Sequence, residues 1–226
     1  MLNEQREILE ALWTLSDPTL KKLVKINTIK NYEQFVDCLY DEIDASFQFL
    51  TRNKNLYKDF SEDQITGIIV ERLRDYFIAH HDASVNGHVD IHVEKNNFLW
   101  LGEAKIYKGP AYMLEGFYQL NTRYATGQDN TNFGGVLLYK KIKKKITTVM
   151  EEWERTLEEQ SIIDEENLKG LTFNQCNKNS LCSISIHEHP SVGSPLQIRH
   201  MPLDLYYKPQ DGNLVPKVKK NSKYSK

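Results

Sequence analysis

Apolar residues recur at helical spacing through the first third of the chain. Residues 3–15 carry apolar side chains along one helical face, and Ser16-Asp17-Pro18 then predicts a stop and the capped start of a second helix. From Tyr32 to Leu50 an apolar residue returns every three or four positions, which predicts a long helix with one buried face. We therefore expect residues 1–58 to form a helical layer packed against the rest of the fold.

A further capped helix is predicted at Ser61, which has Gln64 three positions later, the spacing of a capping box. At about 100° per residue, Glu62 falls among the apolar side chains of this helix and Glu71 lies nearly opposite them. We expect the Glu62 carboxylate to point into the fold. The alternative is an ordinary acidic residue in a first helical turn, stabilised by the helix dipole alone.

A β-hairpin follows this helix. Residues 88–93 alternate between polar and apolar side chains, residues 94–97 have the composition of a turn, and residues 98–106 are the return strand. Alternation places successive side chains on opposite faces, so the register of the hairpin decides which polar groups meet.

The register that we predict pairs Val93 with Phe98. It places Asp90 on the same face of the sheet as Glu103 and Lys105, with Asp90 and Glu103 as diagonal neighbours roughly 7 to 8 Å apart. Two carboxylates at this separation can share one cation.

Helices and strands alternate in the rest of the chain. Gly109-Pro110 opens a helix that ends near Tyr124. The remaining predicted elements are a buried strand from Phe133 to Tyr139, a helix from Ile146 to about Gln160, and strands from Leu181 to His187 and from Gln197 to Tyr207.

The composition, with 40% hydrophobic and 27% charged residues, is ordinary for a soluble globular protein. No apolar run approaches the roughly 20 residues of a membrane span, and the first residues lack the layout of a secretion signal. We therefore expect a cytoplasmic protein without a membrane partner. Cys38, Cys176 and Cys182 are odd in number and lack paired spacing, so neither a disulfide framework nor a zinc ribbon is indicated.

The net charge of -2 conceals a separation of charge, because a lysine cluster precedes the mostly acidic residues 151–166. Such a cluster is either a solvated face or a surface that holds a phosphate backbone, and both interpretations stay open. The candidates for nucleic-acid contact are Arg123, Lys140, Lys141, Lys143, Lys144 and Lys145. The basic tail, residues 216–226, is expected to be disordered.

The chemistry of the chain is expected at Asp90, Glu103 and Lys105. Mg²⁺ prefers oxygen ligands and usually takes one or two protein carboxylates, which Asp90 and Glu103 can supply, with the Ala104 carbonyl as a further ligand. Lys105 shares the face of Glu103, so its ammonium can offset negative charge that develops on a phosphate. The competing interpretation is a structural ion pair between Glu103 and Lys105.

Histidines offer a second metal-binding alternative. His88 and His92 share one face of the predicted hairpin, but no three-ligand spacing typical of zinc sites is present. We expect His80 and His81 at a helix end, where they interact with its dipole.

One combination of residues resembles the PD-(D/E)XK nuclease superfamily. It consists of a helical Glu62, then Gly87-His88-Val89-Asp90 on one strand, Gly102-Glu103-Ala104-Lys105 on the next, and Gln119-Leu120 on the following helix. The resemblance covers about residues 60–140. It implies an α/β (α+β) protein with a restriction-endonuclease-like central mixed sheet flanked by helices, here with an N-terminal helical extension.

The resemblance also implies a role for each residue. Asp90 and Glu103 match the metal ligands and Lys105 matches the catalytic lysine. Glu62 matches an accessory acid that can join the metal, and Gln119 matches a glutamine that positions the lysine or the substrate. Two positions depart from the pattern: Val89 replaces the proline of the family name, and Arg123 stands where some members have a tyrosine.

The function that follows is an Mg²⁺-dependent endonuclease, with Mn²⁺ as a substitute, whose core spans residues 59–215. By resemblance we expect DNA as the substrate and restriction or anti-phage defence as the setting. The alternative is a non-catalytic subunit that binds nucleic acid or docks a partner, such as a helicase or ATPase subunit, within a larger complex.

Overall fold

The computed structural model describes residues 6–8, 11, 17–84 and 87–209. Within them a seven-stranded mixed β-sheet is flanked by helices, which confirms the predicted α+β arrangement. The helices are α1 (Pro18–Asn27), α2 (Tyr32–Arg52), α3 (Lys54–Tyr57), α4 (Glu62–Leu73), α5 (Pro110–Gln119), a π-helical turn (Leu120–Tyr124) and α6 (Ile146–Ile163). The strands are β1 (Ile78–Ser84), β2 (His88–Lys95), β3 (Phe98–Ile106), β4 (Phe133–Lys140), β5 (Thr172–Gln175), β6 (Ser183–Glu188) and β7 (Pro195–Asp204).

Two predictions fall mainly on other parts of the chain. Most of the helix predicted for residues 3–15 and the whole tail, residues 216–226, lie outside the described residues. No helix in the described part of the chain is both long enough and apolar enough to span a bilayer.

The strand order of the sheet is β1-β2-β3-β4-β7-β6-β5. The three central strands β3, β4 and β7 run parallel, whereas the β1-β2-β3 meander and the outer β5-β6-β7 strands are antiparallel. Parallel neighbours end at the same edge of a sheet, so the last residues of β3, β4 and β7 lie side by side. This edge carries the candidate site.

The register predicted for the β2–β3 hairpin is wrong by two residues. Val93 pairs with Trp100 and Lys95 pairs with Phe98, because the turn contains only two residues, Asn96 and Asn97. Asn96 has a φ of 56°, a left-handed conformation that asparagine tolerates in tight hairpin turns. A shift of two residues leaves each side chain on its predicted face.

The placement of His80 and His81 is also wrong. Both lie within strand β1, at the edge of the sheet, where they pair with His92 and Ile91 rather than ending a helix. Only Ala79 in this strand is buried, so β1 has no apolar alternation.

Two apolar layers cover the sheet. On one face, α2 and α4 pack buried side chains such as Phe35 and Ile69 against Trp100. On the other, α5 and α6 pack Phe117 and Trp153 against residues of β4 and β7. Each such buried side chain contributes about 1.5 to 3 kcal/mol. The residue-58 boundary between a helical layer and a nuclease core stays a prediction.

The glycines in β3 and β4 make room for Trp100. A Cβ on Gly102 would lie 2.6 Å from the indole ring, and a Cβ on Gly135 would overlap the same ring. Trp100 is fully buried. The two glycines weaken their strands, but they leave the space in which this large aromatic side chain is buried.

Candidate functional site

Four of the predicted site residues meet at the edge where β3 ends. The Lys105 ammonium lies 2.7 Å from Glu103 Oε1, 3.8 Å from Asp90 Oδ2 and 3.8 Å from Glu62 Oε1. Glu103 and Lys105 come from β3, Asp90 from β2 and Glu62 from the first turn of α4. The site is therefore one cation among three carboxylates supplied by three elements.

Two of the carboxylates accept hydrogen bonds from backbone N–H groups of β3 that lie beyond its pairing with β2. The backbone pairing of β2 with β3 ends at Ile91 and Gly102. Beyond that point the Ala104 N–H donates to Asp90 Oδ2 at 2.8 Å, and the Ile106 N–H donates to Glu62 Oε2 at 2.5 Å. Both carboxylates are thus held in place by backbone donors, which is also a sufficient structural reason for their positions.

The sequence around Glu62 explains why it faces the sheet. Ser61 and Gln64 form the predicted capping box, with bonds of 3.2 and 2.8 Å, so α4 begins at Glu62. Deeper in the fold, Thr66 donates to the Glu62 carbonyl at 2.9 Å and shares a 3.0 Å hydroxyl contact with Tyr139 of β4. These bonds fix the first turn of α4 against the parallel strands.

Burial increases from Glu62 to Glu103. The side chains of Glu62 and Asp90 are 27% and 25% exposed, that of Lys105 is 13% exposed and that of Glu103 is 2% exposed. Glu103 is therefore in a weakly polar environment, where a charge needs a close partner.

The protonation of the site follows from this burial. Burial and the charge of Asp90 raise the pKa of Glu103 to about 7, against the lowering effect of Lys105. Burial lowers the pKa of Lys105, but Glu103, Asp90 and Glu62 outweigh it and raise that pKa above its usual value. Lys105 consequently stays a cation across the physiological range.

One atom of the site lacks a partner. Glu103 Oε2 is buried and accepts no hydrogen bond from the residues that the structure describes, a state that costs roughly 1 to 3 kcal/mol unless a donor or cation fills it. Asp90 lies beside it, and the Ala104 carbonyl points to the same side of β3 as the N–H that Asp90 binds. These hard oxygen donors fit Mg²⁺.

No three His, Cys, Asp or Glu residues in the described ranges form a ready-made metal cluster. The Lys105 ammonium instead contacts the carboxylates. A metal ion at Asp90 and Glu103 would have two carboxylate ligands, which is the usual number for Mg²⁺ in proteins.

Helix α5 covers the site through a glycine that the sequence did not single out. A Cβ on Gly116 would lie 3.0 Å from Lys105 Cγ and 3.1 Å from Glu103 Cγ. The helix backbone thus packs directly on both side chains. A glycine within a helix lowers helix stability by about 1 kcal/mol relative to alanine. In the sequence, such a glycine was the one available signal that the helix backbone lies close to another element.

Comparison with protein-family models, curated proteins and solved structures gave no match. Membership of the PD-(D/E)XK superfamily stays a prediction, and the functional proposal rests on the residues and their geometry.

Gln119 and Arg123 lie farther along the covering helix. Gln119 is one turn beyond Gly116, and its side-chain oxygen is buried without a hydrogen-bond partner among the described residues. Both line a shallow groove of about 460 Å³ on the outer face of α5. The structure shows no hydrogen bond from Gln119 to the described site residues Glu103 and Lys105, so its positioning role stays a prediction.

The lysine cluster is divided between structural and exposed roles. Lys140 is buried with Asp204 at 2.8 Å, and Lys141 donates to the Phe60 carbonyl. Lys144 pairs with a glutamate of α6 at 2.5 Å. Lys143 and Lys145 are exposed, and neither has an ion-pair partner in the part of the chain that the structure describes.

The hairpin histidines have local partners. His88 lies 2.9 Å from Asp82, and His92 lies 3.0 Å from Glu94. Both histidines are thus engaged within the β1–β2 sheet edge, and neither contacts Glu103 or Lys105.

Proposed function

We propose that this chain is a divalent-metal-dependent nuclease of the PD-(D/E)XK type, with a restriction-endonuclease-like fold. One observation carries the proposal: the carboxylates of Glu62, Asp90 and Glu103, which come from three different elements, converge around the Lys105 ammonium, and one Glu103 oxygen is buried without a hydrogen-bond partner among the described residues. A strongly perturbed carboxylate next to a lysine is typical of sites that perform proton or phosphoryl chemistry.

Asp90, Glu103 and the Ala104 carbonyl would hold Mg²⁺ or Mn²⁺, with Glu62 at the exposed side. The cation supplies Lewis-acid polarisation of a phosphate and neutralises charge in the transition state. Lys105, a permanent cation 2.7 Å from Glu103, donates a hydrogen bond to a non-bridging phosphate oxygen as negative charge grows there. The same ammonium favours the ionised form of Glu103, which a metal ligand requires.

DNA is the proposed substrate, and restriction or anti-phage defence in the cytoplasm is the proposed setting. Both come from the resemblance carried by residues 60–140. A helicase or ATPase subunit remains the proposed kind of protein partner.

Substitution of Glu103 and Lys105 tests the proposal. Wild type is incubated with plasmid, single-stranded DNA and RNA, with Mg²⁺, Mn²⁺ or EDTA. We expect metal-dependent cleavage that Glu103→Gln and Lys105→Met each reduce by about 100-fold or more. Glu71→Gln, a change on the exposed side of α4 where the side chain is 67% exposed, is the matched control and should cleave normally.

Thermal melting must accompany these assays, because breaking a buried ion pair can cost about 3 to 5 kcal/mol. A folded Lys105→Met variant that cuts as fast as wild type would rule out the assigned role of the lysine.

A non-catalytic role is the second candidate, because the backbone N–H bonds to Asp90 and Glu62 give both carboxylates a structural task. The non-catalytic role predicts that the protein binds nucleic acid but does not cleave it, whether Mg²⁺, Mn²⁺ or EDTA is present. The same panel separates it from the nuclease.

A further inference from the structure

A groove of about 1200 Å³ opens at the sheet edge next to the candidate site. One wall is α2 from Asp41 to Arg52. The others are the loop from Lys144 into the first turn of α6 and residues 178–181, which precede β6. The ends of β4 and β7, at Lys140 and Asp204, form its floor. The groove is therefore built by the helical first third of the chain, the lysine cluster and the loop that precedes β6.

Most charges in the groove are already neutralised. The pairs are Asp41 with Lys178, Asp44 with Arg199 at 2.7 Å, Asp204 with Lys140 at 2.8 Å, and Lys144 with Glu152 at 2.5 Å. Among the described residues that line the groove, Arg52 and Lys145 carry a charge that has no ion-pair partner. Both are exposed, and the first turn of α6 contains no acidic residue that would oppose an anion.

We propose that this groove binds the phosphate backbone of a nucleic acid beside the cleaved bond, through Arg52 on one wall and Lys145 on another. The proposal rests on the nuclease function and extends it, because it assigns substrate contact to α2. Two cations without partners contribute attraction to phosphates without reading sequence.

The position of the groove relative to Lys105 supports continuous binding. Lys105 pairs with Leu138 across β3 and β4, and Lys140 pairs with Asp204 across β4 and β7. With strands about 4.8 Å apart and a rise of about 3.3 Å per residue, the Lys105 Cα is about 8 Å from that of Lys140 and about 12 Å from that of Asp204. At 3.4 Å per base pair, these distances correspond to roughly two to four base pairs.

Side-chain contacts join the two regions. Glu152 accepts hydrogen bonds from Lys144, on the groove wall, and from the Tyr107 hydroxyl at 3.0 Å. Tyr107 directly follows β3, two residues after Lys105. On the other side, Lys141 reaches the Phe60 carbonyl beside the start of α4. A strand that lies in the groove thus passes along the same edge as the carboxylates.

Binding is measured with a labelled DNA duplex by fluorescence anisotropy, in a Glu103→Gln background and between 50 and 200 mM KCl. Arg52→Ala combined with Lys145→Ala should raise Kd at least tenfold. It should also lower the slope of log K against log salt by about 2, since each lost phosphate contact removes about 0.9. The matched control, Lys30→Ala combined with Lys95→Ala, removes the same charge away from the groove, at two lysines that have no ion-pair partner among the described residues, and should stay within twofold.

Three results would each overturn the inference. They are an unchanged Kd and salt slope in the groove variant, a loss of affinity in the control variant equal to that in the groove variant, and no DNA binding by the Glu103→Gln protein with Arg52 and Lys145 intact. Cleavage assays on the chain with native Glu103 separate the two proposals. If metal-dependent cleavage occurs and the groove variant binds normally, the groove assignment alone fails. If no cleavage occurs but the groove variant loses affinity, the nuclease assignment alone fails.

Discussion

Gly116→Ala is the most direct test of how α5 holds the site. The added methyl would lie 3.0 Å from Lys105 Cγ, 3.1 Å from Glu103 Cγ and 3.2 Å from Lys105 Cε, all inside the 3.4 Å at which ordinary contact begins. Glu103 is buried, Lys105 is half-buried, and the 2.7 Å ion pair joins the two side chains. They must therefore move together by a few tenths of an ångström, or α5 must lift from the sheet.

Stability and activity should respond differently. Alanine improves helix propensity by about 1 kcal/mol over glycine, while overpacking costs about 1 to 3 kcal/mol, so the net loss of stability should stay below about 2 kcal/mol. The rate of cleavage should fall about tenfold or more, because small displacements of positioned catalytic groups greatly reduce the reaction rate. Urea denaturation and plasmid cleavage, on the same preparation, measure the two effects.

Gly67→Ala is the matched control. Gly67 lies within α4, and a Cβ there would meet nothing within 4 Å, so this variant should gain roughly 0.5 to 1 kcal/mol and keep full activity. The reasoning fails if Gly116→Ala gains as much stability as Gly67→Ala and cleaves normally, since α5 would then not press on the site.

Three further predictions concern the buried polar groups. Tyr139→Phe removes the 3.0 Å hydroxyl contact with Thr66 and should cost about 1 kcal/mol in urea denaturation. Burial lowers the pKa of His187 to about 4 and that of His200 to about 3, below an unfolded value near 6.5. Their stabilising contribution is therefore complete above pH 6.5 and is lost as the pH falls, down to about 4 for His187 and about 3 for His200. His187→Asn should flatten that decline in urea titrations at several pH values. Asp44→Ala leaves a buried guanidinium unpaired and should lower the free energy of unfolding by about 3 to 5 kcal/mol, measured by the same method.

Periodicity predicted the faces of the hairpin better than its register. The period of 2 placed Asp90, Glu103 and Lys105 on one face, and an error of two residues preserved that result. The error came from turn length, since the sequence Glu94-Lys95-Asn96-Asn97 is compatible with a longer loop than the two-residue turn that forms. Helical periodicity likewise predicted that Glu62 faces inward.

Features that depend on packing between distant elements were not predictable from local patterns. Strand β1 was missed because an edge strand with one buried residue has little hydrophobic signal. The first third of the chain suggested no chemistry, yet the end of α2 lines the groove beside the site. The role of Gly116 became visible only in the structure, where α5 packs on Glu103 and Lys105 of β3.

The location of the site follows from the way that the sheet ends. The β2–β3 ladder ends at the pair Ile91 and Gly102, and beyond Gly102 alternate backbone groups of β3 have no strand partner in β2. An N–H at such a position needs an acceptor and a carbonyl needs a donor or a cation. Asp90 meets the first requirement at Ala104, so the Ala104 carbonyl is left beside a carboxylate. Oxygen donors of the kind that bind a hard cation thus gather where the ladder opens, and Lys105, one residue farther along, supplies the positive charge that a phosphate would meet there.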